Sequence, residues 1–221
     1  MLKEYVKRFA LCITGLLVFG LGNALGVYAG EAGTNAWTTL ALGISEASGM
    51  LYGTAVLVIG LAVLVIDFAG RGKIGFGTIL NMVLIAYFSQ GFVELLELLP
   101  KVSGQLAGSL VSLFGQAVIS FATIVYMKAR LGCGPRDTLM VLIGNKLPML
   151  PIGAIKFALE LAVLLVGFAL GAPLGLGSVL VMALQAAIFQ AVCRICRYEP
   201  RDEEHEDVRD TVLRLKNLRK T

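Results

Sequence analysis

The sequence predicts an all-α polytopic membrane protein. Its six transmembrane helices form two inverted three-helix repeats, each with a short re-entrant or interfacial helix. Apolar residues make up 57% of the 221 residues and charged residues only 15%, whereas a soluble domain carries about 25% charged residues. Six apolar stretches are also long enough to span a bilayer, and the chain repeats itself at an offset of 100 residues. A water-soluble globular fold is therefore excluded.

The predicted spans follow from length, because a helix needs about 20 mainly apolar residues to cross the hydrocarbon core of a membrane. Two further segments, 35–47 and 135–147, are helical in pattern but too short to cross, and each follows a glycine-rich turn. Either a re-entrant or an interfacial placement would suit them. The six stretches that meet the length are 9–29, 51–69, 76–96, 106–127, 152–170 and 176–195.

The distribution of basic residues predicts the orientation, since loops rich in Lys and Arg stay on the cytoplasmic side. With six crossings, Lys101 is the only basic residue that falls in a predicted loop on the other side of the membrane. We therefore expect a multi-pass protein of the bacterial inner membrane with both termini in the cytoplasm. The basic residues on the predicted cytoplasmic side are Lys3, Lys7, Arg8, Arg71, Lys73, Lys128, Arg130, Arg136, Lys146, Arg194 and Arg197.

The chain divides into four predicted parts. These are a cytoplasmic N-terminus (1–8), membrane repeat 1 (9–98), membrane repeat 2 (108–197) and a charged cytoplasmic tail (198–221). The tail mixes acids and bases, and Val208, Val212 and Leu215 recur at helical spacing. We expect a solvated or surface-lying helix there, with docking to a partner as the alternative.

The internal repeat predicts the symmetry. The segment GFGTIL at 75–80 recurs as GLGSVL at 175–180, and LAVLVI at 61–66 recurs as LAVLLV at 161–166. Three crossings is an odd number, so the second copy is inverted about an axis in the membrane plane, as in many secondary transporters. If the N-termini of both short helices point toward the midplane, their positive dipole ends favour an anionic or strongly dipolar solute.

The motifs of the second repeat carry a family resemblance. They are LGCGPRD at 131–137, Glu160 in the next helix, and Gly-x-Gly-Ser at 175–178. This pattern resembles the YczE/YyaS/YitT group of bacterial integral membrane proteins. In the first repeat Trp37 keeps the aromatic position, but Ala36 replaces the proline and Thr38 replaces the acid. The resemblance implies a polytopic inner-membrane protein, and some members of the group are discussed as small-molecule exporters.

Ionisable residues supply the candidate binding site. Glu160 lies near the centre of the fifth predicted span, where a charge is costly, and Lys156 lies one turn earlier, within pairing reach. Arg136 and Asp137 begin the inner short segment, and a guanidinium binds carboxylates and phosphates bidentately. The alternatives are a purely structural Lys–Glu pair, a positive-inside Arg136 and an interfacial Trp37. The predicted substrate-binding residues are Arg136, Asp137, Glu160, Lys156, Trp37 and Asn35.

No motif points to catalysis. Cys193 and Cys196 form a lone C-x-x-C without further zinc ligands, and His205 lies in the charged tail. We therefore expect no enzyme, metal, cofactor or nucleic-acid partner. The predicted function is a permease or exporter of a small polar or anionic solute. The alternative is a non-transporting scaffold or accessory protein that acts through its tail. Membrane lipids and the solute are the expected partners, and a homodimer is left open.

Overall fold

The computed structural model describes residues 2–199 and 206–218, and every regular element in these two ranges is helical. A 3-10 turn at Gly30–Ala32 lies between the first two α-helices. The helices are α1 (Leu2–Tyr28), α2 (Ala36–Ser48), α3 (Tyr52–Ala69), α4 (Phe76–Leu96), α5 (Gln105–Met127), α6 (Pro135–Lys146), α7 (Ile152–Ala169), α8 (Leu176–Ile195) and α9 (Val208–Leu218).

Five of these helices are long and apolar enough to cross a membrane, namely α1, α3, α4, α5 and α8. Their outward faces carry large apolar side chains, such as Val65 on α3 and Phe114 on α5, which are 59% and 63% exposed. Such a surface suits lipid rather than water. The molecule is thus a polytopic helical membrane protein. The remaining predicted span, 152–170, coincides with α7.

The two segments predicted to be too short to cross form the short helices α2 and α6. They contain 13 and 12 residues, which at about 1.5 Å per residue is roughly 20 Å, well under the about 30 Å of a bilayer core. Asn35 caps α2, since its side chain accepts a hydrogen bond from the Thr38 backbone N–H at 3.0 Å. Pro135 occupies the first turn of α6, as the sequence predicts.

Helix α1 lies at the centre of the packing. It packs against both α4 and α5, and α5 in turn packs against α8. Small residues allow the α1–α5 approach, because a Cβ added to Gly22 would lie 2.9 Å from the Gly115 carbonyl oxygen. The short helices pack across the repeats, α2 against α7 and α6 against α3. In the described ranges α3 packs closely on α4, whereas the corresponding helices α7 and α8 do not.

The helices that begin at the repeated Gly-x-Gly motifs also pack across the repeats. At the start of α4, the Gly77 backbone N–H donates to the Leu131 carbonyl at 2.7 Å, on the turn that precedes α6. At the start of α8, a Cβ added to Gly177 would lie 2.7 Å from the Gly33 carbonyl oxygen, on the turn that precedes α2. Each repeat therefore supplies the contact surface for the other.

The described part of the tail, 206–218, contains α9 and bonds to two loops between the membrane helices. The Glu206 backbone N–H donates to the Arg130 carbonyl at 3.1 Å, and the Val208 N–H donates to the Ile74 carbonyl at 3.0 Å. We call residues 206–208 the strap, because they join the loop before α4 to the loop before α6. Glu206 and Thr211 are buried: Glu206 accepts hydrogen bonds from Tyr5 and Arg8 of α1, and the Thr211 hydroxyl donates to Glu206. Residues 200–205, which include His205, lie outside the described residues, and so do residues 219–221.

Candidate functional site

A cavity of about 1670 Å³ lies between the two repeats. It extends from Arg8, Lys73 and Lys128, on the predicted cytoplasmic side, to Asn23 and Trp37 deep in the helix bundle. Side chains from both short helices, from α1, α4 and α5, and from α7 and α8 line it. A cavity of this size that is lined by polar side chains inside a helical membrane protein has room for water or a polar solute, which such side chains need as partners.

The N-termini of the two short helices meet in this cavity. Trp37 is the second residue of α2 and Arg136 the second residue of α6, and the guanidinium lies 4.6 Å from the centre of the indole ring. A cation over an aromatic face is attracted by the ring quadrupole. The contact leaves the guanidinium edge with N–H donors for an anionic group.

Neighbouring polar side chains fix the two N-termini. The Tyr126 hydroxyl donates to Asp137 Oδ2 at 3.3 Å, so α5 holds the first turn of α6. The Asn23 side chain, 1% exposed, donates to Ser89 Oγ at 3.3 Å and accepts from Thr38 Oγ1 at 3.4 Å. Helices α1, α2 and α4 are thus joined at the inner end of the cavity.

Glu160 of α7 also lines the cavity. Its carboxylate is 3.9 Å from the Lys156 ammonium and accepts a hydrogen bond from the Gln185 side chain of α8. Lys156 is about half exposed, so this ion pair is weak in water. Glu160 itself is 8% exposed. The Glu160–Gln185 bond joins α7 to α8, which otherwise pack less closely than α3 and α4 do.

The structure brings all six predicted site residues to this one cavity. Arg136 contacts Trp37, Lys156 pairs with Glu160, and Asn35 serves as the cap of α2 while it lines the wall. Direct pairing of Arg136 with Glu160 does not appear among the described contacts, although their charges interact. That these residues bind a solute stays a prediction.

The structure adds residues that the sequence analysis left out. Tyr126 is buried and its hydroxyl contacts Asp137, but a tyrosine near the end of a predicted span is typical of the membrane interface. Four of the amide side chains inside the predicted spans line the cavity: Asn23, Asn81, Gln116 and Gln185. Gln90 does not, since it accepts from the Gly53 backbone N–H and donates to Glu94.

Cys133, in the turn before α6, also lines the cavity. Burial, and then the nearby Asp137 carboxylate, raise the pKa of its thiol to about 12. The thiol therefore stays protonated at neutral pH, and a protonated thiol is a poor nucleophile and metal ligand. This cysteine contributes packing rather than chemistry to the cavity.

The comparisons with known proteins cover the whole membrane region. A family model described as a family of unknown function, DUF6198, matches residues 6–194. An uncharacterized protein of Haemophilus influenzae is 33% identical over 174 residues, which is 79% of this chain and 78% of the relative. YczE, an uncharacterized membrane protein of Bacillus subtilis, is 29% identical over 193 residues, 86% of this chain and 87% of the relative. No solved structure matches the chain.

Proposed function

The chain belongs to the DUF6198 family of YczE-like membrane proteins, and from its cavity we propose that it transports a small polar or anionic solute across the bacterial inner membrane. The solute binds between the two repeats, at the N-termini of α2 and α6. The protein acts as a permease or exporter and not as an enzyme.

One observation carries this proposal: the cavity between the repeats brings the N-termini of both short helices together, with Arg136 over the Trp37 ring. Helix N-termini attract negative charge because their N–H groups are unpaired and the helix dipole is positive there. The guanidinium adds a full positive charge. Glu160 and Asp137 on the same lining give the solute's cationic or hydroxyl groups a place to bind.

The proposal includes six crossings in two inverted repeats. Equivalent elements make equivalent contacts. Across the repeats, α2 packs with α7 as α6 packs with α3, and within each repeat α1 packs with α4 as α5 packs with α8. Contacts exchanged in this way are what a two-fold axis in the membrane plane produces, and rocking about the site then exposes it alternately to the two sides. Both α2 and α6 are re-entrant in this arrangement, since their N-termini line the cavity.

The orientation also belongs to the proposal, with both termini in the cytoplasm. The strap bonds to the loops before α4 and α6, and Glu206 pairs with Arg8 near the start of α1. All four segments therefore lie on one side of the helix bundle, and this side carries most of the basic residues. The positive-inside rule makes it the cytoplasmic side.

The alternative is a membrane scaffold that acts through the charged tail. Part of the tail packs on the membrane helices, with Glu206 and Thr211 buried, which leaves these residues occupied within the chain. A scaffold role also does not account for the cavity between the repeats. The buried tail residues and the cavity both favour the transporter.

The test is binding of a panel of small anions and zwitterions to the purified protein in nanodiscs, followed by uptake into proteoliposomes of any that bind. Arg136→Ala should weaken binding at least tenfold, because it removes a charge-assisted hydrogen bond worth about 1.5–3 kcal/mol. Arg194→Ala is the matched control, since Arg194 is exposed and lies away from the cavity lining. Equal binding by both variants would reject the site.

A further inference from the structure

Asp67, near the C-terminal end of α3, is an acidic residue that the cavity does not explain. Its side chain is 0% exposed, and neither carboxylate oxygen has a hydrogen-bond partner among the described residues. A carboxylate buried without a partner is strongly disfavoured relative to the neutral acid. The geometry therefore requires something that neutralises this group.

The repeat shows what is unusual about the position. The equivalent residue of the second repeat, 100 positions later, is Gly167. There α7 approaches α2 so closely that a Cβ on Gly167 would lie 2.6 Å from the Leu40 backbone nitrogen. Glycine allows the α2–α7 contact to close completely. The α3–α6 contact contains an aspartate at the same place.

Asp67 is enclosed by the contact between α3 and α6. The Gly72 backbone N–H donates to the Asp67 main-chain carbonyl at 2.8 Å. A Cβ added to Gly72 would lie 2.6 Å from Thr138 Cγ2 on α6, so α6 approaches this turn closely. The Asp137 carboxylate of α6 interacts with the Asp67 charge. In the loop after α3, Arg71 and Lys73 line the cavity. Asp137 is thus the charged group that acts on Asp67 from the packed helix. Arg71 and Lys73 are the charged residues that follow Asp67 in the loop after its own helix.

We propose that Asp67 is a proton-binding site that controls the contact between α3 and α6. With the proton bound, Asp67 is neutral and stays buried while α6 packs on α3. When the proton passes to water at the cytoplasmic end of the cavity, the anion requires hydration, and repulsion from Asp137 adds to the separation of the two helices. One proton is bound and released per cycle, exchanged with water and with no other reactant.

This site deepens the proposed function, on which it rests for its role in transport: the α3–α6 contact becomes the proton-dependent inner gate of the transporter. The outer gate, α2 with α7, has Gly167 in place of the acid and closes without a proton. A proton gradient would then act on one gate only. The local proposal, a proton held at Asp67, can be tested without knowing the solute.

The first test is infrared spectroscopy of the protein in nanodiscs at neutral pH. We expect a C=O stretching band from a protonated carboxyl group that Asp67→Asn removes. Glu97→Gln is the matched control because Glu97 is exposed, and this variant should keep the band. A band that is unchanged in Asp67→Asn would overturn the proposal.

The second test measures the gate in the chain with its native Asp67. Spin labels at Phe68 on α3 and Lys146 on α6 should move apart as the pH rises from about 5 to 8. Labels at Glu46 on α2 and Phe168 on α7 serve as the reference pair for the outer gate. In Asp67→Asn the Phe68–Lys146 distance should stay short at every pH. A distance that ignores pH with Asp67 present, or that responds to sodium ions instead, would refute a proton site.

The outcomes separate this proposal from the proposed function. If the carboxyl band and the pH response appear but no solute binds, the proton site stands and the transporter proposal loses its support. If a solute binds in an Arg136-dependent manner but the band and the pH response are absent, only the role of Asp67 fails. Asp67→Gly, which copies Gly167, provides a second variant should Asp67→Asn fold poorly.

Discussion

The docking of the strap gives a quantitative prediction. Glu206 accepts hydrogen bonds from Arg8 at 2.8 Å, Arg214 at 3.0 Å, Thr211 at 3.0 Å and Tyr5 at 3.1 Å. Glu206→Gln keeps the size of the side chain and one carbonyl acceptor but removes the charge. We expect the strap and α9 to detach more often in this variant.

The magnitude follows from how well each partner is shielded. Arg8 is 16% exposed and Glu206 8%, so their charge-assisted bond contributes about 1.5–3 kcal/mol to docking. Arg214 is 67% exposed, and water screens its ion pair to about 0–1 kcal/mol. The loss of the Arg8 bond alone therefore raises the undocked fraction about 10- to 150-fold.

Hydrogen–deuterium exchange measures this fraction, because the amides of Glu206 and Val208 are bonded to the carbonyls of Arg130 and Ile74 in the docked state. Peptides that cover 206–214 should exchange at least tenfold faster in Glu206→Gln than in the unaltered chain. Glu199→Gln, which removes an exposed charge from the same tail, should leave the exchange rate unchanged. Equal rates in all three proteins would refute the assigned hydrogen bonds.

The same contact predicts a pH dependence. Burial by itself raises the pKa of Glu206, but hydrogen bonds from Arg8 and Thr211 outweigh it and hold the pKa below its ordinary value of 4.5. The docked state therefore binds a proton less readily than the free tail does. Its extra stability is fully present above about pH 5 and is lost as the pH falls through the lowered pKa. The measured quantity is the protection factor of the strap amides, that is, their exchange relative to free amides at the same pH. A protection factor that is unchanged between pH 7 and 3 would contradict this reasoning.

Three further predictions concern the membrane helices. Gly43→Ala should destabilise the protein by about 1–3 kcal/mol in chemical unfolding, because the added Cβ would clash with a main-chain oxygen of α7. Gly91→Ala is the control and should leave the stability unchanged, because a Cβ there meets open space. Trp37→Leu should weaken binding of any anion that Arg136→Ala affects, by about 0.5–2 kcal/mol of lost cation–π attraction and preorganisation. With the native cysteines replaced by serine, a membrane-impermeant thiol reagent added to intact cells should label Lys101→Cys and not Glu199→Cys; the reverse pattern would reject the proposed orientation.

Much of the fold could be predicted because membrane helices have a strong compositional signal. The apolar stretches predict α3, α4 and α8 to within a residue or so, and the repeated Gly-x-Gly motifs mark the starts of α4 and α8. The first helix begins at Leu2 rather than at the predicted position 9. Charged residues such as Lys3 and Lys7 end a hydropathy signal but do not end a helix that continues into water.

The candidate site could be predicted only in part. Glu160 stands out because charges are rare in spans, and Arg136 stands out because it begins a short helix and a guanidinium binds anions. The contact between Arg136 and Trp37, however, depends on how closely two equivalent positions approach, which no sequence spacing contains. Asp67 was missed since an acid near the end of a predicted span is ordinarily solvated. Glu206 was missed because it lies in a run of mainly acidic residues, 202–207, where the sequence does not distinguish a buried carboxylate from a solvated one.

The bond between Arg8 and Glu206 also bears on how the protein is assembled. The two residues are separated by 198 positions, and α2 to α8 lie between them. A chain enters the membrane progressively during synthesis, so this bond forms only after every intervening helix has been inserted. Until then the Arg8 guanidinium and the carbonyls of Ala129 and Arg130 that it binds lack the carboxylate that completes the cluster. Protection of the strap from exchange or proteolysis is therefore a direct indicator of completed membrane insertion, which makes it useful for following biogenesis.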